Sequence, residues 1–349
     1  MSKEKIPCAL LMNDIHISKD NIPEFQKNWD EALKICEKQD IQDLIIGGDM
    51  LQSRSSYQTL DVLLAVRQAL IKATLAGLEL TIAEGNHDLV DQEAMLGYCH
   101  VFSEYPHVHV IDDYTLLDFS DDVVLYVMSY FPEKGTFVSR LQDILDNDFD
   151  ADKYNILYIH EGINGGLTIP SENELPTKIF KDFDKVLVGH YHNRCKIKGT
   201  NIEYIGASRQ HNFGEDEEKG YTILYSDGSY EFAKNQANIR YKMIDLTLQD
   251  VDNNLIDELN NVKIDGKYKV KARINCSATD VQNIDKQKLL EAGAAKVEIV
   301  TEKTVAKAIE AHSLDRKFDK TGIKQEYESF CSEKVIDSSM GLQYLDKIN

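Results

Sequence analysis

Short apolar runs alternate with longer amphipathic stretches over the first two-thirds of the chain. "CALLMND" (8–14), "DLIIGGD" (43–49), "ELTIAEGN" (79–86), "VVLYVMSY" (123–130), "NILYIHEG" (155–162) and "KVLVGH" (185–190) read as strands. "PEFQKNWDEALKICEKQD" (23–40) and "QTLDVLLAVRQALIKATLAG" (58–77) carry apolar residues at helical spacing, and the second ends in a glycine stop. Strand–helix alternation predicts an α/β protein with parallel or mixed sheets covered by helices. "IEYIGAS" (202–208) and "GYTILYSDGSYEFAKN" (220–235) add strands, with Asp227-Gly228 as a hairpin turn. After about residue 238 the pattern changes to a small β-α-β module, "KYKVKARINC", "DKQKLLEAG" and "AKVEIVTE".

Five early strands end in polar clusters: Asp14-Ile15-His16, Asp49, Asn86-His87-Asp88, His160, and His190-Tyr191-His192. In open α/β sheets, sites form outside the carboxyl ends of the strands, so this spacing predicts one shared rim. One such cluster is ordinary turn chemistry; an ordered set of five is not. Asp, Asn and neutral His, with no thiolate among them, suit borderline or hard divalent ions. Two ions about 3.5–4 Å apart need a bridging carboxylate and stabilise both the attacking and the leaving oxygen of a phosphate ester. Asp49, at a central strand end, is the natural bridge.

The order D-x-H, G-D, G-N-H-D, H, G-H-x-H resembles the calcineurin-like metallophosphoesterases over about residues 6–235. The resemblance implies a two-sheet α/β sandwich and two divalent metals, Mn²⁺ foremost. Asp14, His16, Asp49 and His192 would hold one ion; Asp49, Asn86, His160 and His190 would hold the other. It makes His87 the catalytic histidine, as proton donor or transition-state stabiliser. Asp88 either orients His87 through a hydrogen bond or caps a following helix. "GHYH" is then an extended turn whose alternate imidazoles reach two adjacent ions.

The segment from "VGHYH" through "YIGAS" to "FGEDEEKGY" resembles the SbcD-type nuclease subunits of bacteria and phages. That likeness implies a DNA exo- and endonuclease acting in repair, recombination or replication. It implies DNA and an SbcC-type coiled-coil ATPase as partners, with homodimer formation left open. It also implies three regions: a nuclease domain (1–237), a capping and DNA-binding module (238–312), and a linker with a helical ATPase-binding tail (313–349). The chain departs from the family at "GDMLQ", where Gln52 replaces the histidine of "GDxxH"; that residue positions substrate in relatives. Two readings stay open beside the nuclease: a phosphodiesterase for small molecules such as cyclic nucleotides, and a scaffold without chemistry.

Charge and cysteines narrow the setting. The chain of 349 residues carries −20; residues 1–237 hold 21 basic and 40 acidic residues, and 238–349 hold 18 and 19. The acid of the first region argues against coating nucleic acid by bulk charge, and leaves room for local basic patches and bound cations. Arg194, Lys196 and Lys198 after "GHYH", and Arg209 and His211 in "GASRQHNFG", are candidate DNA contacts. Lys267, Lys269, Lys271 and Arg273 alternate along one strand, giving either a DNA-gripping stripe or a lysine-guarded sheet edge. In the tail Ile323, Tyr327, Phe330 and Cys331, then Met340, Tyr344, Leu345 and Ile348, form apolar stripes that either fold back on their own module or, as the SbcD resemblance implies, dock in the ATPase partner's groove. Six scattered cysteines with no CxxC pair, no apolar run of ~18 residues and a short apolar start predict a cytoplasmic protein without disulfides, membrane span or signal peptide.

Overall fold

In chain order the strands are β1 (Pro7–Met12), β2 (Asp43–Gly47), β3 (Glu79–Ala83), β4 (Val108–Ile111), β5 (Tyr114–Ser120), β6 (Val123–Met128), β7 (Tyr154–His160), β8 (Lys185–Gly189), β9 (Cys195–Lys196), β10 (Ile202–Tyr204), β11 (Gly220–Tyr225), β12 (Tyr230–Lys234), β13 (Arg240–Thr247), β14 (Tyr268–Cys276) and β15 (Lys296–Thr301). The helices are α1 (Ile22–Gln39), α2 (Leu60–Leu75), α3 (Lys134–Asn147) and α4 (Lys286–Ala292). The computed structural model describes residues 5–52, 57–90, 96–167, 174–247 and 267–301, with 327–328, 331, 338–339 and 341–342 in the tail.

The chain divides into two compact units: residues 1–242 with 262–269, and 243–261 with 270–349. In the first, one sheet runs β12-β11-β1-β2-β3-β4 and the other β5-β6-β7-β8-β10-β9. β1, β2, β3 and β4 are mutually parallel, as are β6, β7, β8 and β10, while β11, β12, β5 and β9 add antiparallel edges.

The pleat decides which residues meet. Ala9, Leu11 and Ile45 from one sheet pack on Leu125, Val127, Ile156 and Tyr158 from the other. Their neighbours Leu10, Met12, Leu44 and Ile46 point outward onto α1 and α2, where Trp29 is buried and its Nε1 donates to the Ala69 carbonyl at 2.9 Å. On the second sheet Tyr126, Leu157 and Val186 face Phe137, Leu141 and Ile144 of α3. Strands with both faces covered read as continuous apolar runs, which is why they are conspicuous in the sequence. The result is the two-sheet α/β sandwich with helices outside.

The second unit has a three-stranded sheet, β13-β14-β15, with β14 and β15 parallel around α4. β14 is its central strand, so the reading of this stretch as a guarded edge does not hold. Its alternation does: Val270, Ala272 and Ile274 are buried between Lys269, Lys271 and Arg273. In the tail, Tyr327 lies against Gly341, where an added Cβ would come within 2.1 Å of its hydroxyl. Ile323, Phe330, Met340, Tyr344, Leu345 and Ile348 fall outside the described residues. Among the described residues no helix is long and apolar enough to cross a membrane.

Candidate metal centre

All five polar clusters follow the carboxyl ends of β1, β2, β3, β7 and β8. Beyond β1 the backbone stays tied to the segment after β2: the Ile15 and His16 amides both donate to the Asp49 carbonyl, at 2.8 and 3.0 Å. Among the described residues, six non-glycines have positive φ, and four are Asp14 (50°), His16 (49°), Asp49 (53°) and His190 (89°). Such left-handed backbone is costly for side-chain-bearing residues and clusters at functional sites. "GHYH" is therefore not the extended turn expected: the chain bends left-handed at His190, and this is how its two imidazoles diverge.

The side chains converge. Asp14 Oδ1 lies 3.8 Å from the Nε2 atoms of His16, His160 and His192. Asp49 Oδ2 lies 3.1 Å from His160 Nε2 and 3.5 Å from His16 Nε2. His16 and His192 face each other Nε2 to Nε2 at 3.0 Å, and His190 Nδ1 is 3.0 Å from Asn86 Oδ1. Ligand atoms of Asp14, His16 and His192 lie within 4.8 Å of one another, as do those of Asp49, His160 and His190, and those of His16, Asp49 and His87. Asp14 Oδ1 is buried yet makes no hydrogen bond, and His160 Nε2 is buried with only the Asp49 carboxylate beside it. Orphaned buried donors and acceptors are costly and rare. A ring of oxygen and nitrogen lone pairs around one point fits divalent cations, and it fits little else.

Surrounding groups aim this set. The Tyr158 hydroxyl donates to Asn13 Oδ1 at 2.9 Å, and the Asn13 amide donates to Asp14 Oδ2, which turns Oδ1 into the cluster. The His190 amide also donates to Asp14 Oδ2, and the His87 amide to Asp49 Oδ1 at 2.7 Å. His160 Nδ1 is bound to the Gly47 carbonyl at 2.9 Å, and His192 Nδ1 to Glu215 Oε1 at 2.8 Å. Each leaves Nε2 facing inward, the backing that metal-binding histidines generally have. Gly85 is forced by proximity: a Cβ there would sit 2.3 Å from Asp49 Oδ1 and 2.4 Å from its backbone nitrogen.

The charges are balanced without metal by protons. Burial raises the Asp49 carboxyl, but the facing His160 outweighs it and holds Asp49 well below the usual carboxylate range. Burial pushes His160 down; Asp49, then Asp14, outweigh it and bring it up to about 10. Both shifts express one ion pair. Burial, helped by His192 and His87 and opposed by Asp49, lowers His16 to about 3, and burial with His160 nearby lowers His190 to about 3. Those two imidazoles offer lone pairs at neutral pH.

Known proteins share parts of this chain, although no protein-family model matches it. Over 223 residues, 56% of this chain, it is 25% identical to the SbcD component of the SbcCD nuclease of Staphylococcus saprophyticus, and the match spans 57% of that relative's length. Over 276 residues, 77% of this chain and 93% of the relative, it is 26% identical to a protein of Invertebrate iridescent virus 6, phosphoesterase 244L by name. Among solved structures, a Pseudomonas putida nuclease MPE covers 63% of this chain and 84% of its own, at 15% identity and a TM-score of 0.28. A dimetal phosphatase from Danio rerio covers 62% and 91%, at 8% identity and a TM-score of 0.39. The chain is thus similar to an SbcD nuclease component and to a viral phosphoesterase, in line with the calcineurin-like resemblance of its strand-end motifs.

Several residues singled out in the sequence turn out differently placed. Asp88 does not orient His87. It is buried, and its carboxylate accepts the backbone N–H groups of Met50, Leu51 and Gly85, bracing the Asp49 loop. Arg209 is only 4% exposed and binds the Ile15 and His16 carbonyls, so it holds the first metal loop instead of meeting DNA. Arg194 stacks over Phe232 at 4.3 Å and donates to the Ile205 carbonyl at 2.6 Å, which removes it too from the DNA surface. His211 Nε2 donates to the Asp14 carbonyl at 2.7 Å, and burial, then Arg209, keep its pKa well below the usual value. Lys196, Lys198, Lys267 and Lys269 are exposed. Lys271 is paired with Glu298, and Arg273 with Asp245, so half of the proposed stripe is neutralised. Two further residues stand at the site, of which Glu215 carries no role readable from the sequence. Glu215 lies inside "FGEDEEKGY", and Gln52 marks a departure; Gln52 Nε2 is 3.1 Å from His87 Nδ1.

Proposed function

We propose that the chain is a two-metal phosphodiesterase that cleaves DNA, works with an SbcC-type coiled-coil ATPase, and serves repair, recombination or replication in the cytoplasm of a bacterial or phage-infected cell. The observation that carries the hydrolytic part is the convergence of inward-facing oxygen and nitrogen donors from five strand ends, with the buried Asp14 Oδ1 left without a hydrogen bond. Asp14, His16, Asp49 and His192 would hold one ion, and Asp49, Asn86, His160 and His190 the other; the mixed donors suit Mn²⁺, Fe²⁺ or Zn²⁺, and the family resemblance puts Mn²⁺ foremost. Bound there, divalent cations supply an activated water and neutralise charge on the phosphate. The chain's own residues fix the geometry: Asp88 and Arg209 brace the loops, Glu215 and the Gly47 carbonyl aim imidazoles, and His87 stands beside the scissile phosphate. The module at 238–312 is proposed to cap the site, and the tail at 313–349 to dock on the ATPase.

A small phosphodiester is the second reading. It is favoured by the engagement of Arg194 and Arg209 inside the fold and by the acid of residues 1–237. The deciding experiment gives the full chain linear duplex DNA, cyclic nucleotides and bis(p-nitrophenyl) phosphate with Mn²⁺. Chelator-sensitive cleavage of DNA supports the nuclease. Cleavage of cyclic nucleotides with DNA untouched supports the second reading, and no turnover on any substrate overturns both.

A further inference from the structure

Between β10 and β11, two of three consecutive side chains hold the first metal loop. Arg209 donates to the Ile15 and His16 carbonyls, and His211 to the Asp14 carbonyl. Gln210, between them, does neither. It is 4% exposed and pairs with the backbone of Tyr241: Oε1 accepts the Tyr241 N–H at 2.8 Å, and Nε2 donates to the Tyr241 carbonyl at 2.9 Å. A backbone donor and a backbone acceptor leave the side-chain amide one orientation. Nε2 also donates to the Glu215 carbonyl at 2.8 Å. A buried amide is costly to desolvate unless its groups are bonded, and here the oxygen and the nitrogen both are. The Glu215 carboxylate in turn holds His192 Nδ1 at 2.8 Å and accepts the His211 amide at 3.0 Å. Tyr241 is the second residue of β13, the strand that leaves the first unit after Lys242. Two side chains thus join the root of that strand to an imidazole of the metal centre.

We propose that Gln210 is a positioning residue that couples the root of β13 to Glu215, and through Glu215 to the aim of His192. The inference rests on the two-metal reading and deepens it. Coupling between two sites is reciprocal. A strand held at Tyr241 keeps His192 aimed, and the root of β13 stiffens when His192 takes its ion. A load carried along β13 is then felt at the His192 side of the centre before it is felt at the other.

The test follows amide hydrogen exchange by mass spectrometry and Mn²⁺ affinity by electron paramagnetic resonance, both on the full chain. In the wild type, saturating Mn²⁺ should slow exchange at 239–243 as well as at 14–17, by about tenfold, an ordinary size for coupling between sites. Gln210→Met, equal in length but without donor or acceptor, should abolish the slowing at 239–243 and keep that at 14–17. It should also weaken one of two Mn²⁺ affinities by about tenfold. Added to Glu215→Gln it should cost no further affinity, because both changes act along one path. Gln210→Glu keeps an acceptor for the Tyr241 N–H but loses both donations, and should show the same losses where the Met chain does not fold. A wild type in which Mn²⁺ slows 14–17 and leaves 239–243 unchanged overturns the proposal, even if neither variant folds. So does a Gln210 variant that keeps both affinities or loses both alike, or a double variant whose losses add. A wild type that binds no Mn²⁺ defeats the functional reading instead. In the metal-free protein Gln210→Met should then still speed exchange of the His211 amide, and an unchanged rate overturns the role of Gln210.

Discussion

At His87, Glu215 and His160 the site makes separable predictions. His87→Ala should keep metal content, read by elemental analysis, and lose ~10²–10⁴-fold in kcat, because a positioned donor contributes that much. Asp49→Ala should lose both metal and turnover, since Asp49 Oδ2 faces two imidazoles and Oδ1 holds the His87 amide. Glu215→Gln replaces the carboxylate behind His192 by a neutral amide. It should weaken one of two Mn²⁺ affinities by about 10–100-fold in a titration followed by electron paramagnetic resonance. A chain that loses both affinities equally would place Glu215 in the scaffold instead. The pH dependence follows from His160, raised from the ordinary 6.5 to about 10 in the metal-free protein. A raised histidine adds stability that is complete below pH 6.5 and lost as pH climbs through about 10. The metal-free chain should thus lose melting temperature over that window, and His160→Gln should lose less. Metal must displace the same proton. Calorimetry in buffers of different ionisation enthalpy should read about one proton released at pH 8, and none above about pH 10.

The strands show what a single sequence reveals and what it conceals. β1, β2, β3, β7 and β8 are legible because each is an apolar run with both faces covered, closed by a polar cluster. β4 and β5 are not: β4 has four residues, and β5 is half-buried along most of its length, so neither shows a clear period. α3 escapes as well, its early turns carrying Gly135, Thr136 and Val138, which are poor helix formers. The ligand types are legible from their order, but their support is not. Asp88 and Arg209 look like site or surface residues in sequence; only the fold shows them braced against backbone amides and carbonyls. Glu215 stands 23 residues after His192, with no spacing rule to join them. One close approach is testable at this scale. Gly85→Ala puts a methyl group against the Asp49 backbone, which cannot swing away. It should cost about 1–3 kcal/mol by urea unfolding and lower metal content, with the far-ultraviolet circular dichroism retained.

Over the whole molecule, charge would decide how the proposed DNA substrate is approached. The excess acid lies in residues 1–237, and several of that region's cations are engaged internally: Lys219 with Asp216, Arg194 with Glu203, Arg209 with two carbonyls. Affinity for a polyanion would then rest on bound metal and on exposed lysines such as Lys267 and Lys269. Changing these two to Gln should flatten the salt dependence of DNA binding by roughly 0.9 per lost phosphate contact. Changing Lys271 and Arg273, already paired with Glu298 and Asp245, should leave that slope alone. The left-handed backbone at Asp14, His16, Asp49 and His190 carries a different message. Each such residue costs on the order of 1–3 kcal/mol against a total stability of ~5–15 kcal/mol. Glycine would adopt the same angles at no steric cost. A lineage that no longer used this rim would gain robustness by drifting to glycine there, one codon at a time. Four unrelieved positions in one small cluster therefore mark where the fold spends stability to hold side chains that glycine could not supply.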